Sequence, residues 1–117
     1  MRFGDRVRQL RTSRNILQSE LADAMGVSVS YISKVENEKL HFGDYPSEKF
    51  IHRLARELEA DEDELLLLAD KVPASILKRI QQRPELFRQI AKLDRSALDR
   101  LESSLLAKSK SNLLPFD

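Results

Sequence analysis

Between Gln18 and Asn37 the chain carries two short apolar patterns of helical period, separated by Gly26. Leu21, Ala22 and Met25 share a face in the first, and Ile32 and Val35 share one in the second. Gly26 suits the residue just past a helix end, because it adopts positive φ without the steric cost of a Cβ. Ser28 follows where a hydroxyl accepts from the free N–H groups of a new helix. The spacing predicts helices over Gln18–Met25 and Val29–Asn37, joined by a turn of about three residues. Val29, Ser30, Ser33 and Lys34 are left on the outer face of the second helix, with no acid before Glu36.

Helical periodicity continues on both sides of this pair. Phe3, Val7 and Leu10 define a helix over Phe3–Arg14, ended by Asn15, which tolerates the left-handed region. Ser47 caps a helix over Glu48–Glu59 that buries Phe50, Ile51, Leu54, Ala55 and Leu58. Asp61 caps a fifth, with Leu65 to Ala69 packed behind it; Asp61 and Glu64 have capping-box spacing, and the acids sit at the positive end of the dipole. Beyond "DKVP" the composition shifts. Pro73 and Pro84 open helices running to Gln82 and Leu93, Asp94 caps an eighth over Arg95–Lys108, and "SKSNLLPFD" has no helical period. With three glycines, four prolines and no strand pattern, the chain reads as all-α. The expected layout is a five-helix domain over residues 1–70, about three helices over 71–108, and a flexible tail over 109–117.

Several function classes find no support. The chain has no cysteine, which removes disulfides and thiolate metal sites and suits a cytoplasmic protein. The longest apolar run, Leu65 to Ala69, is too short to cross a bilayer, and "MRFGDRVRQL" lacks a secretory apolar region. His41 and His52 stand apart without a ligand motif, and the acidic block lacks the alternation and glycine of a calcium loop, so neither metal nor cofactor is expected. No nucleophile elbow and no glycine-rich phosphate loop occurs, so an enzyme is not expected. The net charge of +1 disfavours indiscriminate polyanion binding but leaves a localised basic face open. Base gathers at Arg2, Arg6, Arg8, Arg11 and Arg14, and again from Lys78 to Lys92. The arginines could line a phosphate stripe; pairing with acids such as Asp5 is the plainer reading.

Two short helices joined through Gly26, with small Ala22 where they cross, form a helix-turn-helix: fixed crossing geometry leaves one helix face protruding. Val29, Ser30, Ser33 and Lys34 are short or flexible enough to enter a groove about 12 Å wide and meet base edges. The run "LRTSRNILQSELADAMGVSVSYISKVENEK" resembles the Cro/lambda-repressor type, or XRE, family of helix-turn-helix regulators, through Gln18, Leu21, Ala22, Gly26, Val27, Ile32, Val35 and Glu36. The resemblance spans about Phe3 to Ala69. It implies binding to double-stranded DNA, with the third helix in the major groove. It also implies site residues: Gln18 and the start of the second helix at a phosphate, Ser28 at the cap of the reading helix, and Val29, Ser30, Ser33 and Lys34 on bases. Tyr31, Asn37 and Lys39 fall at backbone-contacting positions, although Tyr31 could pack on the following loop instead. Arg11 and Glu36 match an ion pair tying the first helix to the third.

The chain departs from the family pattern in places. Leu17 stands where a Thr or Ser cap is common, at a cost of about 1 kcal/mol. Glu38 replaces a common glycine. "LHFGDYPS" is longer than usual, and it holds either an extra contact through His41 or Tyr45 or a packed surface loop. Residues 73 to 107 carry Ile76, Leu77, Ile80, Leu86, Phe87, Ile90, Leu93, Leu98, Leu101 and Leu105, which suit a core extension or a dimer interface. The dimer is favoured, since two-fold symmetry doubles the DNA site. The expected function is a cytoplasmic transcriptional repressor acting as a homodimer. The alternative is an antitoxin or a regulator whose C-terminal helices hold a partner protein.

Overall fold

The computed structural model of the chain describes the backbone of residues 1–113 and the side chains of residues 1–110. The described residues form eight α-helices and no strand: α1 (Phe3–Ser13), α2 (Gln18–Met25), α3 (Val29–Glu36), α4 (Glu48–Leu58), α5 (Glu62–Leu68), α6 (Ala74–Gln82), α7 (Pro84–Ala91) and α8 (Arg95–Leu113). A 3-10 turn, Phe42–Asp44, lies between α3 and α4. The chain divides after Ala74 into two compact units.

In the first unit α1 packs on α3 and α5, α2 on α3 and α4, and α4 on α5. The periodic apolar positions converge: Val7, Leu21, Met25, Ile32, Val35, Ile51, Leu54, Leu58 and Leu65 are all buried. Each large aliphatic buried in this way contributes about 1.5–3 kcal/mol. Ser47 and Asp61 cap α4 and α5 as their sequence positions suggest, Ser47 Oγ accepting from Phe50 N and Asp61 Oδ1 from Asp63 N. Only half of the expected capping box at α5 forms. The Glu64 carboxylate accepts from Arg6 Nε at 3.2 Å, joining α5 to α1.

Helix ends are set by residues at positive φ. Gly26 is one, and Asn15, Glu38, Glu59 and Asp70 are non-glycine residues in the same region, with φ from 49° to 61°. Arg14 and Glu59, read from the sequence as last helical residues, lie just outside α1 and α4 because the chain is already turning out of helical hydrogen bonding there. Glu38 also reaches across to α1, where its carboxylate accepts from Gly4 N in the first turn at 3.1 Å.

The second unit contains α6, α7 and α8. Pro84 occupies the first turn of α7, and Asp94 caps α8 by accepting from Ala97 N at 2.8 Å. Pro73 precedes α6 instead of opening it. No residue from 74 to 110 is buried. Ile76, Leu77, Leu86, Leu93, Leu98, Leu105 and Leu106 are all exposed. α8 runs on to Leu113, into the segment read from the sequence as an aperiodic tail. Serine, lysine and leucine there lack an apolar period but contain no breaker, and the next proline is Pro115. Residues 114–117, the rest of that tail, lie outside the described residues.

Candidate nucleic-acid interface

The turn between α2 and α3 is built as its residues require. Gly26 adopts φ 69° and ψ 33°, and a Cβ added there would meet nothing within 4 Å, so backbone conformation and not crowding demands glycine. Val27 N returns to the Ala22 carbonyl, and Arg53 Nη2 on α4 donates to the Met25 carbonyl at 3.1 Å. Ala22 is buried on α2, which packs against both α3 and α4. Ser28 Oγ accepts from Tyr31 N at 3.0 Å, so its hydroxyl is engaged as the cap of α3.

Ile32, Val35 and Glu36 face inward, whereas Val29, Ser30, Lys34, Asn37 and Lys39 are exposed and Ser33 is half-buried. Five positions named from the sequence are therefore presented together on the outer side of α3 and its C-terminus. Lys39 follows the helix end, its N–H donating to the Lys34 carbonyl.

Glu36 is the anchor beneath this face. Its side chain is wholly buried. Arg11 grips it through Nε to Oε2 at 2.6 Å and Nη2 to Oε1 at 3.0 Å. Gln18 Nε2 donates to Oε1 at 3.0 Å, and Arg8 Nε approaches at 3.5 Å. Burial alone pushes the Glu36 pKa up, but the donors from Arg11 and Gln18, the Arg11 charge and the Arg8 contact outweigh it, so the net shift is downward. Arg11 is shifted up by its hydrogen bond to Glu36, against desolvation. The carboxylate thus ties together the first, second and third helices.

Three side chains named from the sequence are engaged within the protein: Gln18, Tyr31 and Asn37, whose amide bonds to Arg8 and Ser33. The Gln18 amide holds Glu36, leaving the first turn of α2 to meet an anion through its backbone. Leu17 supplies no side-chain cap there, although its own N–H donates to Glu20 Oε1 at 2.8 Å. Tyr31 is half-buried; its hydroxyl donates to the Asp44 carbonyl at 3.0 Å, and its ring meets Phe50 edge-on at 5.6 Å. Burial, then the Asp44 charge, raises its pKa. The loop is thereby pinned to α3, with His41 and Tyr45 exposed and Phe42 projecting at its tip.

The arginines in and around α1 do not form a free phosphate stripe. Arg2 pairs with Asp5, Arg6 with Glu64, Arg8 and Arg11 with Glu36, and Arg14 with Glu59. Sequence reasoning missed Gly4, Arg53 and the Arg8 contact to Asn37. A glycine in the first turn of a helix was a visible signal for Gly4, since it disfavours helix without a packing reason. Nothing in the sequence announced the other two. Among the described residues no group of histidines and carboxylates is arranged to hold a metal ion, and no helix is long and apolar enough to cross a membrane.

A helix-turn-helix domain model matches residues 2–68, more than half of the chain, and the chain belongs to that family of DNA-binding domains. A chain of the solved SinR protein/SinI protein complex shares the fold, with a TM-score of 0.51 and 22% identity over 92% of this chain and 98% of that one. No curated protein matches the chain in sequence.

Proposed function

We propose that this protein is a sequence-specific transcriptional repressor of the Cro/lambda-repressor, or XRE, type, reading the major groove with α3 as a homodimer. One observation carries the reading. Val29, Ser30 and Lys34 stand exposed on a helix whose opposite face is locked by Ile32, Val35 and the buried Glu36. A rigid helix with a short, uncharged or cationic outer face fits a groove lined by donors, acceptors and thymine methyls. In this reading Val29, Ser30, Ser33 and Lys34 set base choice, while Lys39 and the first turn of α2 meet phosphates. Affinity then falls steeply as salt rises, because phosphate contacts release counterions. Such a regulator works in the cytoplasm, where the DNA is.

Dimerisation is supported by the second unit, in which the leucines and isoleucines among the described side chains are unburied along all three helices. An isologous pairing of these faces would place two reading helices on an inverted repeat. Selection of bound sequences from a random DNA pool tests both parts. A palindromic consensus supports the proposal, and retention of no DNA refutes it.

A second reading has its own support. The SinR protein/SinI protein complex is an assembly of two proteins, and exposed apolar helices suit a partner of a different chain. Stable capture of a heterologous partner by the full chain favours this reading; self-association alone favours the homodimer.

A further inference from the structure

Asn37 sits between two side chains of different hydrogen-bonding character. Arg8 Nη2 donates to Asn37 Oδ1 at 2.5 Å. Asn37 Nδ2 donates to the Ser33 carbonyl at 2.9 Å and to Ser33 Oγ at 3.3 Å. A guanidinium has donors only and the Ser33 carbonyl only accepts, so the two together dictate which way the amide faces. The amide oxygen turns to Arg8 and the NH2 group to Ser33. One of the two lone pairs of Ser33 Oγ is then occupied and its hydrogen points away from Asn37, which biases the hydroxyl toward donating. Among the described residues no protein acceptor takes that hydrogen. Arg8 is itself steadied by the buried Glu36, 3.5 Å from its Nε. A relay of fixed polarity thus runs from a buried carboxylate to the outer side of α3.

We infer that Arg8, acting through Asn37, sets Ser33 as a hydrogen-bond donor and thereby selects a base edge that offers an acceptor. The inference rests on the proposal that α3 enters the major groove. Arg8 and Asn37 are positioning residues in this scheme, and neither needs to touch the base. Guanine, adenine and thymine present acceptors in the major groove, at N7 and O6, at N7, and at O4; cytosine presents only its amino donor. Ser33 should therefore discriminate against cytosine on the strand it contacts. A single hydrogen bond supports a preference of roughly fivefold to tenfold.

The test is selection from a random DNA pool with the full chain and its variants. Asn37→Asp gives up the bond to the Ser33 carbonyl and replaces the NH2 group by an acceptor, so the Ser33 hydrogen turns inward and its lone pairs face the groove. One column of the half-site should then shift toward bases with an exposed amino group, cytosine or adenine, while the other columns hold. Arg8→Met removes one of the two groups that orient the amide and should weaken the preference in that same column, whereas Arg8→Lys keeps a donor-only group and should hold it. In a Ser33→Ala background, Asn37→Asp should leave the column unchanged. If the wild type selects a consensus but Asn37→Asp and Arg8→Met leave every column intact, the relay is refuted while DNA reading stands. Persistence of the Asn37→Asp shift without the Ser33 hydroxyl refutes it equally. A wild type that retains no DNA overturns the reading of α3, and the relay with it.

Discussion

Gly4 faces the carbonyl oxygen of Val35 so closely that a Cβ on Gly4 would lie 2.3 Å from it, and 2.8 Å from the carbonyl oxygen of Glu36. The first turn of α1 therefore rests directly on the last turn of α3. The obstacle is backbone, which cannot swing aside as a side chain can.

Gly4→Ala should destabilise the protein, although alanine is the better helix former by about 1 kcal/mol. Overpacking of this kind costs about 1–3 kcal/mol, and here it separates α1 from α3. Chemical denaturation should show a lower midpoint with an unchanged slope. A variant more stable than wild type would contradict the close approach.

Glu36→Gln keeps the shape of the side chain but removes the charge that Arg11 requires. Leaving a buried guanidinium without its partner should cost about 3 kcal/mol. The acid side of the stability profile should report the same group. Because the folded state lowers the Glu36 pKa, its contribution is fully present above the ordinary carboxylate range and is lost as pH falls through the lowered value. Denaturation followed from neutral to acid pH should show a shallower decline in Glu36→Gln than in wild type. Parallel profiles would assign acid sensitivity to other carboxylates.

Lys34→Ala and Ser30→Ala should leave stability within about 0.5 kcal/mol of wild type, since both side chains are exposed. Both should alter base preference. Gln18→Ala should behave differently, lowering stability by about 1 kcal/mol through its lost bond to Glu36 and weakening binding to every sequence alike. Titrations at one fixed salt concentration separate the two patterns. Lys34→Ala binding its selected site as tightly as wild type would remove Lys34 from the reading face.

Leu98→Asp and Leu105→Asp place charge on the exposed apolar side of α8. If that face pairs two copies, light scattering should show monomers where the wild type is dimeric, with the melting of the first unit unchanged. A dimer that survives both substitutions would move the contact elsewhere.

The sequence carried most of the architecture because helix periodicity and capping residues act locally. Gly26, Ser28, Ser47, Asp61 and Asp94 mark helix ends through bonds to residues a few positions away, and Leu21, Ile32 and Ile51 reveal their faces by spacing alone. The outer face of α3 was legible for the same reason. What escaped depends on distant pairs. Glu64 was read as half of a local capping box, but a guanidinium from α1 competes successfully for its carboxylate. Gln18 was read as facing DNA, and Tyr31 as facing either DNA or the loop; a buried glutamate engages the first and a loop carbonyl the second. The aperiodic stretch after Lys108 offered no reason to end a helix, and α8 continues through it to Leu113.

The two glutamates that stop α3 and α4 in the left-handed region also hold the two ends of α1, Glu38 at the Gly4 amide and Glu59 at the Arg14 guanidinium. Glycine at either position would relax the local backbone and at the same moment remove one of these two side-chain ties to the amino-terminal helix. The strained φ angles are thus the counterpart of a brace. The helix that supports the reading face is held at its tips by the punctuation of its neighbours as well as by its apolar underside.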